Sequence, residues 1–71
     1  MTDERIYEIA QDVCDYADAH GIPRDKDVDE IVADIEFALE YECLDELNYL
    51  FEYIDHEDEL WDEVVEIWWA I

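Results

Sequence analysis

Apolar residues recur at steps of three and four along almost the whole chain, the period of helices that each bury one stripe. The first set is Ile6, Ile9, Ala10, Val13, Cys14 and Ala17. Thr2 stands where a cap belongs, and Asp3 and Glu4 suit the positive end of the helix dipole. His20-Gly21-Ile22-Pro23 reads as a stop, because Gly21 can take the left-handed cap position and Pro23 cannot continue a helix. The first helix is predicted over about 3–19. After the polar loop Arg24-Asp25-Lys26, Asp27 followed by Glu30 has the spacing of a capping box. Val28, Ile31, Val32, Ile35, Ala38 and Leu39 then form a second stripe, which predicts a helix over about 28–42.

Beyond residue 42 there is neither Gly nor Pro. An unbroken helix from Val28 to Ile71 would run roughly 66 Å at 1.5 Å per residue, and a chain this small could not cover it. Breaks are required, and Asp45 and Asp55 are the expected caps. A short third helix, about 46–54, would bury Leu47, Leu50, Phe51 and Ile54. A fourth, about 57–70, would bury Leu60, Trp61, Val64, Ile67 and Trp68. The fold class expected is all-α, a small bundle of three to four short helices in one domain spanning 1–71. The alternative is α+β, with a small sheet in the C-terminal half, since Tyr, Val, Ile and Trp also suit strands. No hairpin turn signal supports it.

Composition changes this picture in one respect. The chain has 71 residues, with 24 Asp plus Glu against 3 Lys plus Arg, a formal charge of −21. At 52% hydrophobic and 14% aromatic it is too apolar for a disordered acidic tail. The charge argues against direct binding to nucleic acid or to an anionic membrane, and a basic protein is the natural partner. No apolar run approaches the roughly 20 residues of a membrane span. The start Met1-Thr2-Asp3-Glu4-Arg5 lacks the basic lead of a secretory signal. Two distant cysteines, Cys14 and Cys43, suggest buried thiols rather than a disulfide framework. A cytoplasmic setting is expected.

Catalysis finds little to work with. Ser is absent and Thr2 is the one Thr, which removes serine nucleophiles and acyl carrier proteins together. Asp25, Asp27, Asp29 and Glu36 fall at calcium-loop positions, but Glu30 occupies the sixth, where the turn needs Gly. His20 and His56 are isolated. The expectation is a protein that is not an enzyme, with no cofactor and no metal.

The charge distribution carries the functional reading. All three basic residues lie in the first 26 positions, and from Asp27 to Ile71 there are 17 acids and no Lys or Arg. Glu4, Glu8, Asp12, Asp15 and Asp18 run down one predicted face at helical spacing. Asp29, Glu36 and Glu40, flanked by Glu30 and Asp34, form a second row, and Glu59, Asp62, Glu63 and Glu66 a third. Side chains at such spacing recur about every 5–6 Å. Duplex DNA carries one charge per about 1.7 Å of axis, so rows on adjacent helices can imitate its backbone potential. Folding alone would intersperse both signs. A solvated face that aids solubility, or adaptation to high salt, are the plainer explanations. Against the latter, Ile, Trp and Tyr are abundant.

In size, charge and helical acid rows such as Glu8-Asp12-Asp15, the whole chain resembles the small acidic DNA-mimic inhibitors of phages and other mobile elements. Anti-restriction proteins and several anti-CRISPR proteins belong to this class. The resemblance is one of character, not of a motif. It implies a blocker of the DNA- or RNA-binding surface of a host defence nuclease complex, with CRISPR effectors ahead of restriction enzymes. It also implies location in the cytoplasm of an infected or element-bearing bacterium. The partner-binding residues expected are Asp12, Asp15, Glu30, Asp34, Glu36, Glu40, Glu59, Asp62, Glu63 and Glu66. Tyr41, Tyr49 and Tyr53, which with Tyr7, Tyr16, Phe37 and Trp69 lie off the core stripes, are expected beside them. The alternative function is a non-enzymatic adaptor or assembly protein binding through exposed aromatics. The apolar end Trp68-Trp69-Ala70-Ile71 adds a homodimer as a further alternative.

Overall fold

A computed structural model describes residues 1–23 and 25–71, with the backbone alone at Tyr53. Four helices follow in order: α1 (Asp3–Ala19), α2 (Val28–Tyr41), α3 (Asn48–Tyr53) and α4 (Glu59–Ala70). A 3₁₀ turn, Asp45–Leu47, leads into α3. No strand occurs among the described residues, so the small sheet held open above is set aside. The longest dimension is 31 Å, less than half of what one unbroken second helix would need.

Local chemistry sets the ends. Thr2 Oγ1 accepts the Arg5 N–H at 3.2 Å, and Asp27 Oδ1 accepts the Glu30 N–H at 3.0 Å. Gly21 sits at φ +65°, and the Ile22 N–H reaches back to the Ala17 carbonyl at 2.8 Å, which satisfies an orphan carbonyl of α1. α2 ends the same way without glycine. Glu42 adopts φ 51°, ψ 41°, and the Cys43 N–H donates to the Ala38 carbonyl at 3.1 Å.

Two predicted caps move. Asp45 opens the 3₁₀ turn with Leu44 in the cap position and no side-chain cap bond. α4 begins after Asp58, not Asp55, because Asp58 Oδ1 takes the Leu60 N–H at 2.9 Å. Asp55 closes a tight turn instead, its carboxylate accepting the Glu57 N–H at 2.9 Å. Its own N–H donates to the Tyr16 hydroxyl at 3.0 Å, which moors the turn to α1. Asp58→Ala is expected to lower stability by about 1 kcal/mol. Asp55→Ala, whose carboxylate caps no helix, should change it by less. Urea unfolding of both variants at one pH measures the difference.

The core runs through all four helices. Ile9, Ala10, Val13, Ile35, Ala38, Leu47, Leu50, Val64 and Ile67 are fully buried, and Ile6, Cys14, Ile31, Ile54 and Leu60 nearly so. α1 packs on α2 and α4, and α3 closes against α4. No buried side-chain polar atom lacks a partner among the described residues. The expected core placement of Trp68 is corrected: it is 57% exposed. α3 is only six residues long, and its Phe51 ring, with its centroid 5.9 Å from that of Trp68, leaves that indole largely uncovered. Phe51 and Trp61 are half-buried rather than buried. Cys14 is buried, Cys43 is half-buried, and neither forms a disulfide.

Candidate functional site

The acids of α1 and α4 meet along the line where these helices pack. A shallow groove of about 380 Å³ there is lined by Asp12, Asp15, His20, Asp58, Glu59 and Glu63. Helix spacing sends Asp12 and Asp15 out of one wall and Glu59 and Glu63, four apart, out of the other. Four of the ten acids singled out by spacing thus converge from two helices.

At the groove's edge Arg5 ties the helices together. Its Nε and Nη2 donate to both oxygens of Glu66, at 2.9 and 2.8 Å, in a two-pronged pair. Its Nη1 donates to Glu63 at 3.2 Å and to Glu8 at 3.3 Å. The hydrogen bond from Arg5 holds the Glu66 carboxyl below its ordinary pKa. Glu63 responds in the opposite direction. Burial and then the neighbouring Asp12 carboxyl push it from 4.5 up to about 7, against the pull of Arg5. The groove therefore holds, in Glu63, a carboxyl that titrates near neutrality.

The other described cation is used likewise. Lys26 Nζ lies 2.6 Å from Asp34 Oδ2 and 4.6 Å from the centre of the Tyr49 ring. The Tyr49 hydroxyl donates to the same Asp34 oxygen at 2.7 Å. Asp34, Glu63 and Glu66 are thus turned toward basic groups of their own chain, and Tyr49 is a structural partner of Asp34. Neither Arg5 nor Lys26 offers its charge to the surroundings alone.

Elsewhere the acids face outward. Glu30, Glu36 and Glu40 are exposed on α2, Glu59 and Asp62 on α4, and Asp15 on α1, where Gln11 Nε2 donates to it at 3.1 Å. Tyr41 is exposed on α2, its ring centroid 4.6 Å from that of Phe37. The predictions that fall on Arg24 and on the Tyr53 side chain lie outside the described residues. No group of three or more His, Cys, Asp or Glu side chains among the described residues is arranged to hold a metal ion. No described helix is long and apolar enough to cross a membrane.

Sequence spacing missed the part played by Arg5. Its partners Glu63 and Glu66 lie 58 and 61 positions away, and only the packing of α1 on α4 joins them. A lone Arg among the six acids of α1 was the available sign. Compared with protein-family models, with curated proteins and with solved structures, the chain matches none.

Proposed function

We propose that this protein is a non-enzymatic inhibitor that imitates a polynucleotide and occupies the cationic nucleic-acid channel of a defence nuclease complex. CRISPR effectors are placed ahead of restriction enzymes as the target. The observation that supports this best is the convergence of Asp12, Asp15, Asp58 and Glu59 in one groove of a chain with a formal charge of −21. Both described cations are already neutralised by internal carboxylates. Lys or Arg of a nucleic-acid channel would find there a second row of anionic groups at helix spacing. Association would be fast and electrostatically steered, and it would weaken as salt rises. The exposed Trp68 and Trp69 favour a second reading, an adaptor that binds through aromatics.

Inhibition of purified nuclease complexes tests the proposal. A CRISPR effector and a restriction enzyme are each assayed for DNA binding with increasing amounts of this protein. Competitive loss of DNA binding, with an inhibition constant that rises at least tenfold between 0.1 and 0.3 M salt, is the expected result. Inhibition that is indifferent to salt and to added DNA would instead favour the adaptor.

A further inference from the structure

Beside the face that α4 buries in the core, a second apolar face of the helix is only partly covered, and its surroundings specify what fits it. Trp61, Val65, Trp68, Trp69 and Ile71 line a groove of about 530 Å³. Trp69 is 84% exposed. Across the Trp61 and Trp68 rings a smaller cleft of about 280 Å³ continues to Leu44, Asn48 and Phe51. Phe51 and His56 pack against the Trp61 and Trp68 rings. Phe51 stands edge-on to Trp61 at 5.3 Å and to Trp68 at 5.9 Å, and His56 lies 4.2 Å from Trp61.

Carboxylates border it on both sides. On α4, Asp62 lies three residues before Val65 and seven before Trp69, next to them on the helix surface. On the other side Asp45 and Glu52 lie three before and four after Asn48. All three acids are exposed. We infer that this face is the docking site for a cationic amphipathic helix of a partner protein, with its apolar stripe over the tryptophans and Lys or Arg along its flanks.

The charge pattern decides among occupants. A second copy would add −21 to −21, and its described cations, Arg5 and Lys26, are bound to its own Glu66 and Asp34. A cationic helix gains on every count: apolar burial, rim ion pairs, and Lys or Arg over the open Trp faces. The arrangement is that of a helix laid in a hydrophobic groove. The face needs no imitation of nucleic acid to operate, and it lies apart from the α1–α4 groove.

The test uses two synthetic 18-residue peptides of equal positive charge. One carries Leu at helical i, i+3, i+4, i+7 positions between Lys flanks, and the other has Ser in place of each Leu. Binding to the intact protein at 0.15 M salt is followed by tryptophan emission and by calorimetry. The expected result is a blue shift and at least tenfold tighter binding of the Leu peptide. That preference should disappear in Trp68→Ala/Trp69→Ala and fall several-fold in Trp69→Ala alone, whose side chain touches little of the fold. Circular dichroism confirms that both variants keep their helices. Equal binding of the two peptides would overturn the inference, as would an unchanged preference in the double variant. So would sedimentation as a dimer that Trp69→Ala dissociates, which would make a second copy the occupant. Peptide binding by a protein that inhibits no nuclease leaves this face standing and removes the mimicry, and the reverse result removes the face alone.

Discussion

Lowering the pH from 8 to 5 is expected to raise the unfolding temperature of this protein by about 5–10 °C. The reason lies at Glu63. Its folded pKa of about 7 stands above its ordinary value of 4.5, because it is half-buried beside Asp12. Between those two values the folded chain holds a proton that the unfolded chain has lost, so stability falls as pH rises through that window. Linkage puts the full window at up to about 3 kcal/mol, and the remaining exposure of Glu63 reduces this to about 1–2 kcal/mol. Glu66 acts in the opposite sense. Its pKa is lowered by Arg5, so its contribution is lost only below the ordinary carboxylate range. The optimum therefore falls on the acid side of neutrality, near pH 5. Relief of repulsion across a surface of −21 adds to the same slope, so a variant is needed to separate the two.

Glu63→Gln makes that separation. The amide can still donate to Asp12, but it carries no charge to bury. It is expected to stabilise the fold by about 1–2 kcal/mol at pH 8 and to change it little at pH 5. Thermal unfolding of both proteins at half-unit pH intervals reads the difference directly. If the two curves keep a constant separation from pH 5 to 8, diffuse surface repulsion accounts for the slope and Glu63 does not.

The contrast between Glu63 and its neighbours shows which features can be read from one dimension. Thr2, Gly21 and Asp27 end helices through bonds to residues three to five away, so the limits of α1 and the start of α2 are legible in sequence. The end of α2 is not, because Glu42 takes a left-handed conformation that sequence assigns to glycine or asparagine. Asp55 and Asp58 are chemically equal candidates three residues apart. Asp58 opens α4 through its bond to the Leu60 N–H, while Asp55 is moored to α1 by its N–H bond to Tyr16, 39 positions away. Trp68 continues the apolar period past the point where neighbouring helices can cover it. The acids were legible as rows on single helices. Their pairing into a groove required knowing that α1 lies against α4, and that Arg5 had already claimed Glu66. Hence Asp34, Glu63 and Glu66, equal to the other acids in sequence, differ from them in the fold.

If this protein inhibits a nuclease as proposed, the double substitution Asp15→Lys/Glu59→Lys is expected to weaken that inhibition by 100-fold or more while leaving the protein folded. Both carboxylates are exposed, and they stand on opposite walls of the α1–α4 groove. Close charge pairs at protein interfaces couple by about 1.5 kcal/mol or more, and reversal replaces attraction with repulsion, so two such changes exceed the 2.7 kcal/mol that corresponds to 100-fold. The fold itself should gain slightly, since each lysine is placed among like-charged neighbours whose mutual repulsion it relieves. Glu36→Lys/Glu40→Lys makes the same change in net charge on α2, away from the groove. If polynucleotide imitation is localised where the carboxylates converge, the α2 pair loses about tenfold or less, through diminished steering alone. Inhibition constants for the two double variants, taken at one salt concentration and with unfolding midpoints alongside, decide between a localised site and a diffuse field. Equal losses would mean that the total charge, rather than the meeting of α1 and α4, is what the target recognises.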